Sequence, residues 1–370
     1  MRFIISFLMT VACLACQIRG AAVASPQPVP TPSAASGSGD QNGSSLALGY
    51  VQAGVIKAES GDYQGAIEQF TLAIDADPSN TDAYRDRAVA RDDVGDYKDA
   101  LNDYTQVLAL SPDDSAALGG RGQDRYRLGD YAGADTDFTA YLKQNPDSAN
   151  AFMNRGYARA KEGDWAGAAA DLRRAVKLDP NNLDIRTSLA AADVEAHNMS
   201  AASSDLDAAI HINPKSTALI KMRMQLRLEM GNTGGALDDA RRLIKAGNGD
   251  PALYDIACRV EADAQQYQEA LATCDRAVKL QPNDISAYGT LERVNGMLGR
   301  NSAVLDDLNA MVRLEPQSGE AYYSRALFED GHGDRKAAAS DFRTALKFYK
   351  LAGDSPHVQQ IQVIMQERGY

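Results

Sequence analysis

The sequence predicts an all-α fold of about nine helix-turn-helix repeats closed by a C-terminal capping helix. Three observations carry this. Proline recurs at 78, 112, 146, 180 and 214, then at 282 and 316, so every gap is 34 residues, or twice 34 across Asn248. Alanine keeps the same step at 66, 100, 134, 168, 202, 236, 270 and 338, with Val304 the departure. Gly61, Gly95, Gly129 and Gly163 follow it too, as do Tyr63, Tyr97, Tyr131 and Trp165. A fixed period of this length marks stacked units, each of which buries its apolar face only against its neighbours.

The chain has 370 residues, 44 % of them apolar, which supports a packed core and excludes wholesale disorder. It carries 38 basic and 50 acidic side chains, a net charge of −12. That balance argues against nucleic acid, whose phosphates need a basic face.

At the N-terminus Met1 and Arg2 precede an apolar run over residues 3–16. The run is shorter than the ~20 residues a membrane-spanning helix needs, but suits the hydrophobic region of a secretory signal. Ala22-Val23-Ala24 matches a small-x-small cleavage site, so residues 1–24 are read as a signal peptide, with Ser25 as the new terminus. Two alternatives stay open. Cys16, after Leu14-Ala15, resembles a lipoprotein acylation site, although Cys13 stands where an aliphatic residue is expected, and the segment uncleaved would be a weak anchor. Residues 25–45 are rich in Pro, Ser and Gly and read as a disordered linker.

Residues 46–352 hold the nine repeats. In the fourth, residues 149–162 form a first helix, Gly163-Asp164 a turn, and residues 165–178 a second helix with Ala168, Leu172 and Ala175 on one stripe. Asp179-Pro180 stops it, because proline disfavours α conformation in the residue before it. In an antiparallel pair Gly156 lies opposite Ala168, so the two backbones approach closely.

These blocks resemble tetratricopeptide repeats of an exported bacterial type. The small-aromatic-Ala-aromatic-Ala-Pro pattern is carried by Gly156, Trp165, Ala168, Leu172, Ala175 and Pro180, and by Gly122, Tyr131, Ala134, Phe138 and Pro146. The pattern weakens in the fifth repeat, where His197-Asn198 replaces the Gly turn, and in the eighth at Asn301 and Val304. The resemblance implies an α–α superhelix whose first helices line a concave face. It also implies a non-catalytic scaffold that binds a protein or peptide. Over residues 353–370, Ser355-Pro356 starts a capping helix with Val358, Ile361, Ile364 and Met365 as its apolar stripe.

Arg87, Arg121, Arg155, Arg223 and Arg325 share one place on the first helices. Asp103, Asp137, Asp171, Asp239 and Asp341 share one place on the second, sixteen residues on. This periodicity points to structural ion pairs rather than acid–base chemistry, since an architectural ladder recurs and a catalytic pair need not. Arg155→Ala is expected to cost about 3–5 kcal/mol if it leaves Asp171 buried and unpaired.

The four histidines match no metal spacing, and no metalloprotease, nucleophile-elbow or phosphate-loop motif is present. Gly119, Gly120 and Gly122 fall inside a predicted helix, not after a strand, so no cofactor or metal is expected. Beyond the signal only Cys258 and Cys274 remain. Two thiols or a bridge are both open, and the register favours thiols. Cys258 faces Ala270, which puts Cys274 one helical turn, ~6 Å, further along. Between the sixth and seventh repeats, residues 246–251 replace the Pro stop, either as a hinge or as a loop closed by Pro251.

The binding residues implied by the resemblance are Gln123, Tyr126 and Arg127 in the third repeat and Met153, Asn154, Tyr157 and Lys161 in the fourth. In the sixth they are Lys221, Met222 and Gln225. Gly119, Gly120 and Gln123 do not reproduce the basic clamp that some members use for a terminal carboxylate. The second repeat is acidic there, with Asp82, Asp86, Asp92 and Asp93 around Arg85. The expected setting is periplasmic or secreted, free or lipid-anchored, either as a peptide-binding scaffold or as part of a cell-envelope assembly or export complex.

Overall fold

The computed structural model describes residues 41–370, all helices and connecting turns. The expected signal peptide and most of the expected linker lie outside the described residues. The first helix begins at Gln41, so residues 41–45, assigned to the linker from sequence, belong to the first repeat.

The described chain divides into two compact units after Lys215. The first holds five helical hairpins: α1 Gln41–Glu59 with α2 Tyr63–Ala76, α3 Thr81–Asp93 with α4 Tyr97–Leu110, α5 Ser115–Leu128 with α6 Tyr131–Gln144, α7 Ala149–Lys161 with α8 Trp165–Leu178, and α9 Leu183–Glu195 with α10 Met199–Ile212. The second holds α11 Thr217–Glu229 with α12 Thr233–Lys245, α13 Pro251–Asp263 with α14 Tyr267–Leu280, α15 Ile285–Met297 with α16 Asn301–Leu314, and α17 Gly319–Gly331 with α18 Arg335–Ala352. Helix α19, Ser355–Arg368, follows. Odd-numbered helices up to α17 are the first helices of the repeats, and within a unit they form one layer: α1 touches α3, α5 touches α7 and α13 touches α15.

Most described helices start where the sequence offers a cap; Asn198, Gln266 and Arg300 precede helices without making a side-chain cap bond. Asn80, Asp114, Ser148 and Asn182 accept hydrogen bonds from backbone amides of the first helices that follow them. Asp62, Asp130 and Asp164 do the same for second helices, satisfying donors that the helix leaves without a partner. The repeating glycine before that aspartate is left-handed, with φ 82° at Gly61 and 84° at Gly163. Two repeats put a side chain there: His197 at φ 62° and Gln265 at φ 60°. His197→Gly and Gln265→Gly should therefore each stabilise their repeat by about 0.5–1 kcal/mol, read as a raised melting temperature. An unchanged or lowered value would refute the strain at these turns.

Within a hairpin the small residue on the first helix meets the large one on the second. A Cβ on Gly156 would lie 3.1 Å from Leu172 and 3.3 Å from the Ala168 carbonyl, and one on Gly122 would lie 3.0 Å from Phe138. Tyr126, Phe138, Ala168, Leu172, Ile185 and Leu189 continue this packing from one repeat into the next. At the far end, α19 seats Ile361, fully buried, on Tyr323, Phe342 and Tyr349, as a solenoid cap must.

The same contact corrects the expectation for the cysteines. Cys258 and Cys274 occupy the places of Gly156 and Leu172, their Cα atoms are 4.8 Å apart, and they form a disulfide. The register argument set the small residue against one partner alone. In the hairpin it sits between two, against Ala168 and Leu172 in the fourth repeat, so the bridge needs no further approach. The joint after α12 is closed. Gly247 takes φ 83°, Asn248 Oδ1 accepts from the Asp250 amide at 3.1 Å, and Pro251 opens α13.

Candidate protein-binding face

All five predicted ion pairs form. Arg87 donates to both oxygens of Asp103 at 2.9 and 2.7 Å, Arg121 to Asp137 at 2.9 and 2.7 Å, and Arg155 to Asp171 at 2.8 and 2.7 Å. Arg325 reaches Asp341 at 2.5 and 3.0 Å, and Arg223 reaches Asp239 at 3.0 Å through Nε and again through Nη2. The acids are buried, and each accepts from its arginine at both oxygens, the planar two-point geometry that fixes a guanidinium against a carboxyl group.

Sequence reasoning missed a second arginine, one turn on. Arg125, Arg159 and Arg227 donate to Asp137, Asp171 and Asp239 at 2.8, 2.9 and 2.9 Å, and Arg91 to Asp103. It recurs on the same 34-residue step, so the signal was present. The network also ties repeats together: Arg87 reaches Thr71 and Arg155 reaches Thr139, both at 3.0 Å, and Arg325 reaches Asn309 at 2.8 Å. Where the first arginine is missing, polarity inverts. Asp193 and Glu261, both fully buried, accept from Arg173 and Arg241 of the preceding repeat, at 3.0 and 2.8 Å. Asp307 has Asn295 at 2.7 Å as its hydrogen-bond partner, and burial pushes its carboxyl up to about 6.

On the first-helix face of the first unit, Gln123, Tyr126, Asn154 and Tyr157 converge on one recess floored by Phe138. Tyr126 and Tyr157 line the recess with rings that are largely buried. Tyr126 packs edge-on against Tyr131 at 5.3 Å, and the Tyr157 hydroxyl lies 3.0 Å from Ser188 Oγ on the next repeat. Both rings close seams in the helix layer. What faces outward is polar: the half-buried amides of Gln123 and Asn154, which make no hydrogen bond to another described residue, with Met153 and Arg127 half-buried and Lys161 exposed. Arg127 lies over the Tyr97 ring at 4.6 Å.

In the second unit, Lys221 pairs with Asp250 at 2.8 Å, Met222 is buried, and Gln225 is half-buried with its Oε1 lacking a hydrogen-bond partner.

Among the described residues, no three His, Cys, Asp or Glu side chains group as metal ligands, and no helix is long and apolar enough to cross a membrane.

Family models described as tetratricopeptide repeat match residues 47–80, 85–134, 120–182 and 159–226. No curated protein sequence matches the chain. Solved structures similar to it include a tetratricopeptide repeat protein from Parabacteroides merdae, 18 % identical over 68 % of this chain and 99 % of that one, with a TM-score of 0.46. A MamA protein is 19 % identical over 46 % of this chain and 93 % of that one, with a TM-score of 0.45. PilF of Pseudomonas aeruginosa is 18 % identical over 55 % and 93 %, with a TM-score of 0.44.

Proposed function

The chain is a tetratricopeptide repeat protein, and we propose that it is an exported, non-catalytic scaffold that holds a segment of a partner protein against its first-helix face. The observation that carries this is the recess in the third and fourth repeats. Gln123 and Asn154 stand on neighbouring helices, half-buried, beside an aromatic floor, and make no hydrogen bond to another described residue. An extended backbone presents the complementary groups at short, regular spacing. The buried Cys258–Cys274 disulfide supports the exported setting, because such bonds persist where thiols are not kept reduced.

A photo-crosslinker at Asn154, compared with one at Lys143 on the exposed side of α6, tests the reading in the native cell. Discrete protein adducts are expected at 154 and not at 143. Gln123→Ala with Asn154→Ala should then weaken the captured partner by about tenfold, the worth of two modest hydrogen bonds. Equal adducts at both positions, or unchanged affinity in the double variant, would remove the assignment.

A further inference from the structure

We infer that the first-helix face of the first two repeats receives a cationic, partly apolar segment of the partner. This rests on the scaffold reading and names the chemistry of what is bound. On α1 the outward stripe is Leu48, Gln52, Val55 and Glu59, at helical spacing on one face. On α3, which α1 touches, it is Asp82, Asp86, Val89 and Asp93. Leu48, Val55 and Val89 are 57, 37 and 48 % exposed, so the first repeat offers apolar surface beside Glu59 and the second offers Val89 between Asp86 and Asp93. A lone exposed valine means little, but two adjacent stripes that both pair an exposed valine with an acid one turn on form a patch.

The charge on this patch is not internally balanced. Arg85 is its cation, and it is already engaged by Asp82 and, at 2.9 Å, by Asp114. Asp86 is half-buried and makes no hydrogen bond to another described residue. Burial and Asp82 push its carboxyl up against the pull of Arg85, to about 6. The acids continue inward. Asp92 and Asp124 face each other carboxyl to carboxyl, and burial together with the hydrogen bond between them pushes the fully enclosed Asp124 up to about 9, so this inner pair holds a proton between its two groups. Tyr104 donates to Asp92 Oδ2 at 3.1 Å, and Arg127 stands 3.5 Å from Asp124 and 4.0 Å from Asp92. The groups an incoming cation meets are the exposed Glu59, Asp82 and Asp93 and the half-buried Asp86, and the apolar groups beside them bury its aliphatic stem.

The sign of the face reverses in the next two repeats, where Arg127 and Lys161 hold the same place on the helix as Asp93. A cationic segment is therefore drawn to the first two repeats and repelled from the third and fourth, which fixes its position along the layer. A second copy of this chain is a poorer occupant, since it brings 50 acids against 38 bases.

The test uses the chain from Ser25 onward and two labelled synthetic peptides, one alternating Lys with Leu and one alternating Glu with Leu, read by fluorescence anisotropy. The Lys peptide should bind and the Glu peptide should not. Asp86→Asn with Asp93→Asn should weaken the Lys peptide at least tenfold, and Val55→Ser with Val89→Ser at least threefold. Asp75→Asn with Asp113→Asn, which removes equal charge from the exposed second helix and loop, should leave it unchanged. Equal binding of the two peptides overturns the inference, as does equal weakening by the control pair or none by either patch variant. If that happens while the Asn154 crosslinks persist, the inference fails alone. If those crosslinks are lost as well, the scaffold reading fails with it.

Discussion

Arg155→Ala combined with Arg159→Ala should destabilise the fourth repeat by about 3–5 kcal/mol, whereas Arg155→Ala alone should cost distinctly less. The sequence expectation assigned the larger cost to the single change, on the view that Asp171 had one partner. It has two: Arg155 on both oxygens and Arg159 on Oδ2 at 2.9 Å. Removing Arg155 leaves the carboxylate paired with Arg159. Removing both leaves a charge in a site that is 4 % exposed, and the cost of that burial then falls on folding. Replacing Asp171 with Leu in the double variant should return part of the loss, because an uncharged group needs no partner there. Solenoid repeats open locally, so amide hydrogen exchange in α7 and α8 is the suitable measure. Equal effects of the single and double changes would show that Arg159 does not share the load.

Two levels of the molecule differ in how far the sequence discloses them. The hairpins were legible because proline, alanine and glycine stand at fixed places for reasons local to one repeat: a stop, a close approach, a left-handed turn. The ion pairs were legible for the same reason, since Arg and Asp recur sixteen residues apart. What stayed hidden depends on side chains reaching between elements. Asp193 and Glu261 are served from the preceding repeat, a pairing that no spacing within a block reveals. Tyr126 and Tyr157 occupy outward places by helix arithmetic, yet their rings are long enough to bend into the seams at Tyr131 and Ser188. Helical register assigns a Cβ direction, and a large ring ends far from its Cβ.

The cysteine pair yields the second large effect. Cys258→Ser with Cys274→Ser should lower the stability of the unit spanning residues 216–370 by about 3 kcal/mol, the loop-closure value for a bridge across some fifteen residues. The intact mass of the unmodified chain should rise by two hydrogens on reduction and denaturation. Without denaturant the bridge should resist reductant, because both residues are fully buried. Serine also buries hydroxyls in an apolar cluster with Ala262, Ala270, Leu291 and Val294, so a second variant separates the two causes. Cys258→Gly with Cys274→Leu rebuilds the pair that Gly156 and Leu172 make in the fourth repeat, restoring apolar contact without the cross-link. That variant should fall between the oxidised chain and the double serine change. If it matches the oxidised chain, the bridge contributes only packing. If the mass does not change on reduction, the thiols are free, and the support the bridge lends to an exported setting goes with it.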